Sequence, residues 1–214
     1  MDRIKETPDT YTYVFSPLST SNRFTFNVGE FVTIRAFLKR PTSSGGMEEG
    51  AVERAYSIAS SPTRDNIELT IKDEKPYGYI NPGIGKADGF AAYFFEQLRI
   101  GDKVLVKPGT AKDHFLSKIA SGVEKDIAYW SGSNGAESAR SLLQYMEDRK
   151  DLELRLVLFY SNPRLYSPDD NVTINVIYYN WLLEEADRLD NFKIVFTFTK
   201  DKDTTIHSDH PRII

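Results

Sequence analysis

The chain has 214 residues, of which 40% are hydrophobic and 27% are charged, so we expect a packed core and exclude wholesale disorder. Its 27 Lys and Arg residues against 31 Asp and Glu residues give a net charge of −4, which argues against a general nucleic-acid binder. The absence of cysteine excludes disulfide scaffolds, thiolate metal sites and cysteine nucleophiles. We find no apolar run of about 18 residues and no signal peptide, and therefore expect a cytoplasmic protein without a membrane partner.

The first 109 residues predict a β-rich domain. Short runs rich in Val, Ile, Thr, Phe and Tyr alternate with Gly, Pro, Ser and Asn, which is typical of an antiparallel sandwich or barrel. The polar, Gly-rich residues 41–50 predict a long hairpin loop, and residues 91–98 predict one short helix. The predicted strands are residues 11–15, 23–26, 31–38, 54–58, 67–72 and 103–107.

The hydrophobic period changes in the second part of the chain, which we assign to a domain of residues 110–214. Apolar residues recur at helical spacing in 136–146 and 177–189. Apolar strands are predicted at 126–132, 154–160 and 192–199. This βαβαβ order predicts an open parallel sheet, whose ligands bind at the carboxyl ends of the strands.

Residues 53–62 alternate in a way that places two functional side chains on one face of a strand. Arg54 and Tyr56 lie on the same face, and Ser57 lies on the other. An Arg two residues before a Tyr can bind a phosphate while the Tyr ring lies beside a flat ligand. The alternative is an ordinary strand with a surface Arg and a packed Tyr, because so short a motif has low specificity.

Five short motifs together resemble the ferredoxin–NADP⁺ reductase family. Arg54-Ala-Tyr-Ser57 is similar to its R-x-Y-S flavin motif, and Gly29-Glu-Phe-Val32 is similar to the G-Q-F-V strand that precedes it. Residues 67–72 resemble the strand after the motif, and residues 89–94 resemble the turn that holds the flavin pyrophosphate. Residues 98–106 resemble the L-x-x-G-D-x-V-x-V strand that closes the flavin domain. The resemblance implies an N-terminal flavin-binding β-barrel followed by a nucleotide-binding α/β domain.

The resemblance also implies roles for the residues around the flavin. Arg54 would contact the flavin phosphate, Tyr56 would pack on the isoalloxazine ring, and Ser57 would hydrogen-bond near N5, which makes Tyr56 and Ser57 the candidate catalytic residues. Backbone N–H groups of a helix-starting turn would bind the pyrophosphate. The remaining candidates, which would line the flavin or form that turn, are Ile71, Lys72, Gly89, Phe90, Ala91 and Ala92. Ala92 departs from the Ser or Thr that is frequent in the family.

The second domain resembles the family less closely. Residues 131–135 stand where relatives carry a G-G-T-G-x-x-P-like pyridine-nucleotide loop, and a routine strand-to-helix turn is the alternative. The loop residues would contact phosphate or the nicotinamide amide, and the two residues after the second strand would contact the 2′-phosphate of NADP. These candidates are Gly132, Ser133, Asn134, Ser161 and Arg164.

One expected part of the family pattern is absent. Relatives continue through a further strand to a C-G-P-x-x-M motif and a final helix, and we expect either a C-terminally shortened member or an incomplete sequence. We also expect no metal site. The function implied is a flavoprotein oxidoreductase that passes electrons between NADH or NADPH and an acceptor, such as a ferredoxin, through FAD. The alternative is a flavin- or nucleotide-binding regulatory module with little turnover.

Overall fold

The strands of the N-terminal half form two antiparallel sheets. In the computed structural model, which describes residues 2–19, 24–41, 47–72, 94–95, 98–109, 125–150 and 153–200, each sheet has three strands. The first sheet has the order β1-β2-β5, with β1 at Asp2–Thr7, β2 at Thr10–Phe15 and β5 at Ile67–Lys72. The second has the order β4-β3-β6, with β3 at Phe31–Pro41, β4 at Met47–Ser57 and β6 at Val106–Pro108.

The two sheets share one hydrophobic core, which agrees with the predicted antiparallel β half. Alternate residues of the strands point inward, as the period of two requires. The core side chains include Tyr13, Val32, Ile34, Ile58, Ile67, Leu69, Ile71 and Phe95. Among the described strands, pairing occurs only within each sheet, so closure into a barrel stays a prediction.

The observed strands differ from the predicted ones in several places. The hairpin of β3 and β4 is paired as far as Pro41 and Met47, so the loop predicted at 41–50 was wrong apart from residues 42–46, which lie outside the described residues. A backbone ladder needs no apolar side chains, which is why composition missed this extension and also the exposed, charged β1. Residues 24–26 are not a strand. Of the predicted helix 91–98, residues 94–95 are helical, residue 98 is not, and the rest is outside the described part.

The C-terminal half is the predicted open parallel sheet. Its strands β7 (Asp126–Gly132), β8 (Arg155–Asn162) and β9 (Phe192–Phe198) are parallel and adjacent in that order. Helix α1 (Ala136–Asp148) connects the first two strands, and helix α2 (Tyr179–Arg188) connects the last two. A second hydrophobic core lies between the sheet and these helices. No helix among the described residues is long and apolar enough to cross a membrane.

The two halves pack directly against each other along the segment that follows β4. Ala59 is fully buried in the core of the C-terminal half. The Ser141 hydroxyl donates to the backbone oxygen of Ser60 at 2.7 Å, and the backbone N–H of Ser61 donates to Gln144 Oε1 at 3.0 Å. The segment that follows β4 is therefore held against α1, and we call this contact region the seam.

Candidate functional site

Arg54 and Tyr56 lie side by side near the end of β4. They pair with Ile34 and Val32 of β3 and so share the face of the sheet that carries the first core. The Tyr56 ring packs edge-on against Phe95, with 5.5 Å between ring centroids and an interplanar angle of 88°. Burial raises the pKa of the Tyr56 phenol, and the positive charge of Arg54 opposes that rise. A guanidinium and a half-buried aromatic ring are thus brought together, as the sequence predicted for a phosphate and a flat ligand.

Ser57 is the last residue of β4, and its side chain is on the opposite face of the strand. This is the face that carries Ala59 two residues later, which is buried in the core of the C-terminal half. Ser57 is half-buried and lies where the chain enters the seam. The strand alternation found in the sequence therefore separates Ser57 from Arg54 and Tyr56, and Ser57 pairs with Phe31 of β3.

The other predicted flavin residues are in different surroundings. The Ile71 side chain is 4% exposed and belongs to the first core. Lys72 ends β5 and forms an ion pair with Asp9, with 3.6 Å between Nζ and Oδ2. Contact of these two residues with a flavin stays a prediction. The predicted pyrophosphate turn, Gly89, Phe90, Ala91 and Ala92, lies outside the described residues.

The turn after β7 is a 3-10 helix, Ser133–Gly135, that leads directly into α1. Ser133 has a positive φ of 48°, which is uncommon for a residue other than glycine. Its carbonyl oxygen accepts a hydrogen bond from the Tyr160 hydroxyl at 3.0 Å. Gly135 caps α1, and a Cβ at this position would lie 3.0 Å from Ser131 Oγ, so the turn packs closely onto the end of β7.

The predicted residues Gly132, Ser161 and Arg164 lie at the same end of the sheet. Gly132 pairs with Ser161 across β7 and β8, at the carboxyl ends of both strands. Arg164 follows β8, is exposed, and makes no hydrogen bond or ion pair to another described residue. Asn134 is in the turn, but nothing is described of its side chain. Sequence spacing therefore brought three of the five nucleotide candidates to one edge of the parallel sheet, and the other two, Ser133 and Asn134, lie in the turn that follows β7.

Two buried polar atoms at this edge were missed by the sequence analysis. Within the described part, Ser131 Oγ and Asn162 Nδ2 are buried without a hydrogen-bond partner. Such orphaned groups are rare and destabilise a fold by about 1–3 kcal/mol each. The signal for Asn162 was available, because it continues the alternation of buried Leu156, Leu158 and Tyr160 along β8. A polar residue in that series indicates a functional or strained position.

A polar network crosses the seam on the β5 side. The hydroxyl groups of Thr70 and Tyr178 are hydrogen-bonded to each other, and Thr70 Oγ1 is 2.8 Å from Thr12 Oγ1. Thr12 in turn donates to Glu6 Oε1 at 2.6 Å. Tyr178 is fully buried and has a positive φ of 62°, a strained conformation for a bulky residue. Non-local contacts of this kind carry no sequence pattern, so the sequence could not have predicted them.

Charged pairs extend the seam. Arg140 forms an ion pair with Glu68, and its guanidinium lies 5.0 Å from the Tyr178 ring centroid. Arg64 binds Glu147 and Asp148 of α1, each at 3.1 Å. These pairs hold the first sheet against α1. Among the described residues, no group of three or more His, Asp or Glu side chains is placed to hold a metal ion.

The comparisons with known proteins bear on the fold. No family model and no curated protein matches the sequence. Solved structures do match. The cytochrome b5 reductase domain of Ulva prolifera nitrate reductase is 21% identical, with a TM-score of 0.67 over 92% of this chain and 71% of that one. Ferredoxin–NADP⁺ reductase from Plasmodium falciparum with 2′P-AMP is 18% identical, with a TM-score of 0.65 over 97% of this chain and 73% of that one.

A third similar structure is the flavohem-like FAD/NAD-binding domain of nitric oxide dioxygenase from Vibrio cholerae O1 biovar El Tor. It is 13% identical, with a TM-score of 0.61 over 95% of this chain and 74% of that one. These likenesses cover both halves of the chain. The resemblance found in the sequence motifs is therefore confirmed at the level of architecture: this chain has the fold of the ferredoxin–NADP⁺ reductase-like proteins.

Proposed function

We propose that this protein is a flavoprotein oxidoreductase that passes electrons between NADH or NADPH and an acceptor through FAD. The observation that carries the proposal is the seam. The segment that follows Tyr56 and Ser57 at the end of β4 is held against α1, and α1 begins at the turn that follows the carboxyl end of β7. A flavin held at β4 and a nucleotide held at β7 and β8 would share this region.

The proposed flavin site rests on the residues at the end of β4. Arg54 supplies a guanidinium for a phosphate, since charge-assisted bonds of this kind are about twice as strong as neutral ones. Tyr56 supplies an aromatic ring, and Ser57 supplies a hydroxyl on the opposite face of the strand. FAD is proposed because the similar domain from Vibrio cholerae is named for FAD and NAD.

The proposed nucleotide site rests on unsatisfied polar groups. Ser131 Oγ and Asn162 Nδ2 are buried without partners in the described part, and a nicotinamide carboxamide or a phosphate offers both donors and acceptors. Arg164 adds an exposed guanidinium. The carboxyl ends of parallel strands are where open α/β sheets bind their ligands. The residues present therefore fit a pyridine nucleotide.

The cofactor supplies the redox chemistry. Bound FAD would supply the hydride and electron transfer between the reduced nicotinamide and the acceptor. The chain's own residues bind the two ligands, orient them and exclude water. The acceptor we propose is a ferredoxin or another electron carrier.

The experiment measures flavin content and turnover together. Purified full chain, incubated with FAD and desalted, is examined for flavin absorption. NADH or NADPH oxidation is then followed with an artificial electron acceptor. We expect a retained flavin and oxidation above the rate of free FAD, with both diminished in Arg54→Ala. A colourless protein that takes up no FAD would remove the proposal.

A second candidate is a flavin- or nucleotide-binding regulatory module that turns over poorly. The observation favouring it is the turn after β7. Ser133 has a positive φ there, and its carbonyl oxygen accepts a hydrogen bond from the Tyr160 hydroxyl. A turn that must rearrange before it binds a ligand costs affinity and positions the nicotinamide less well. Retained FAD with no NAD(P)H oxidation above the free-flavin rate would favour this module over the reductase.

A further inference from the structure

Glu137 is a buried carboxyl group that the proposed flavin and nucleotide contacts leave unused. It is the second residue of α1, directly after the turn at the carboxyl end of β7, and it is 8% exposed. Its carboxylate has no hydrogen bond or ion pair to any other described residue. Acidic side chains are almost never this deeply buried without a partner.

The contacts of α1 show which way Glu137 faces. Gln144 accepts from Ser61, and Ser141, one turn earlier, donates to Ser60. Residues 137, 141 and 144 follow the spacing of one helix face. Glu137 therefore lies on the face of α1 that packs on the first half, one turn closer to the start of the helix.

Among the described residues, no basic group compensates the charge of Glu137. Tyr129 of β7, Tyr160 of β8 and Tyr178 before α2 are near enough for the Glu137 charge to raise their pKa values. Arg140, one turn along α1, is paired with Glu68. Burial alone raises the pKa of Glu137 to about 8.

Glu137 is also linked to the turn that would receive a nucleotide. Tyr160, on which the Glu137 charge acts, donates its hydroxyl to the carbonyl oxygen of Ser133. Asn162, whose side-chain nitrogen is buried without a partner among the described residues, follows Tyr160 on the same face of β8. The carboxyl group, the turn and the orphaned amide therefore meet at one end of the sheet.

We propose that Glu137 admits a pyridine nucleotide to the carboxyl ends of β7 and β8 as a neutral acid and excludes it as a carboxylate. The inference rests on the proposed function. A negative charge in this water-poor position repels the nucleotide phosphates strongly, because screening there is weak. A neutral carboxyl group exerts no such repulsion and can donate a hydrogen bond.

Proton linkage sets the size of the effect. If only the neutral form binds, affinity is nearly constant below pH 8 and falls about tenfold for each pH unit above it. Affinity at about pH 9 is then about tenfold lower than at about pH 7. Linkage is reciprocal, so a bound nucleotide raises the pH at which Glu137 ionises.

The test measures NADH binding to the full chain by titration calorimetry at these two pH values. NADH is the probe because its pyrophosphate has no group that titrates in this range. We compare wild type with Glu137→Gln, and with Glu184→Gln as a control that removes the same charge from an exposed position of α2. We expect the affinity for NADH to fall about tenfold from the lower to the higher pH in wild type and in the control, and not to fall in Glu137→Gln.

The outcomes that remove Glu137 from this role are distinguishable from the outcome that also removes the proposed function. Wild-type affinity for NADH that is equal at both pH values would remove Glu137 from this role, and so would a tenfold fall in affinity that persists in Glu137→Gln. Either result leaves the reductase proposal intact. No binding of NADH or NADPH at either pH removes both the inference and the proposed function.

A carbon-13 NMR titration of the wild-type Glu137 carboxyl group, with and without NADH, is independent of how the variant folds. It is expected to show ionisation near pH 8 that moves upward with nucleotide, and an unmoved titration contradicts the inference.

Discussion

Replacing Glu137 with Gln is expected to stabilise the protein in a pH-dependent way. Gln is close to the neutral acid in size and never ionises. The Glu137 pKa rises from the usual 4.5 to about 8 on folding because the carboxyl is buried. Folding therefore disfavours the ionised form, and the wild type loses stability as the pH rises from about 4.5 to about 8.

The size of the loss follows from that interval. At about 1.36 kcal/mol for each pH unit, the wild type gives up about 5 kcal/mol of its free energy of unfolding between these pH values. This is a large share of the roughly 5–15 kcal/mol that a typical domain has. We expect Glu137→Gln to exceed wild type by less than about 1 kcal/mol at about pH 5 and by about 5 kcal/mol at about pH 9.

Urea denaturation of wild type and Glu137→Gln at these two pH values measures the difference. Glu184→Gln is the control, because it makes the same change at an exposed position and should follow wild type at both. If Glu137→Gln exceeds wild type in free energy of unfolding by the same amount at both pH values, the Glu137 carboxyl group is not held neutral by burial. A variant less stable than wild type at about pH 9 would refute the reasoning outright.

Three further substitutions test the flavin site and the seam. Arg54→Ala should weaken FAD binding to the apo-protein by about 1.5–3 kcal/mol, the value of a charge-assisted phosphate contact, and an unchanged affinity would remove Arg54 from the site. Ser57→Ala should slow flavin reduction by NAD(P)H while flavin content stays nearly intact; parallel loss of both would make Ser57 structural. Tyr178→Phe should lower the free energy of unfolding by about 1–3 kcal/mol, since it leaves the Thr70 hydroxyl short of a partner. Thr70→Val should lower the free energy of unfolding by less in the Tyr178→Phe background than in wild type. Fully additive losses of unfolding free energy would show that the two hydroxyl groups are not coupled.

Local patterns were enough to predict the architecture of the chain. The parallel sheet was predictable because its strands are apolar runs separated by helices of clear period, and both signals are local. The ends of the β3–β4 hairpin and the whole of β1 were not, because these ladders are held by backbone hydrogen bonds that composition does not reveal. Closure of the first half into a barrel depends on pairing between distant strands and stays a prediction.

The candidate site was predictable to the extent that it follows strand alternation and strand ends. Alternation placed Arg54 and Tyr56 together and Ser57 on the other face, as the structure shows. The role of α1 was not predictable, because Glu137 reads in the sequence as an ordinary exposed acid of a first helical turn. Its burial arises when the helix packs on the segment after β4, and a contact between distant segments has no local signature.

The central claim is that this chain holds FAD and receives electrons from a pyridine nucleotide across the seam. The most direct measurement is anaerobic stopped-flow mixing of the FAD-loaded protein with NADH or NADPH, followed through the visible absorption of the flavin. We expect the absorption to bleach at a rate that saturates with nucleotide. We expect slow reduction because the turn at residues 131–135 lacks the denser Gly and Thr pattern of the pyridine-nucleotide loop that it resembles. A protein that retains FAD but shows no nucleotide-dependent bleaching would contradict the claim.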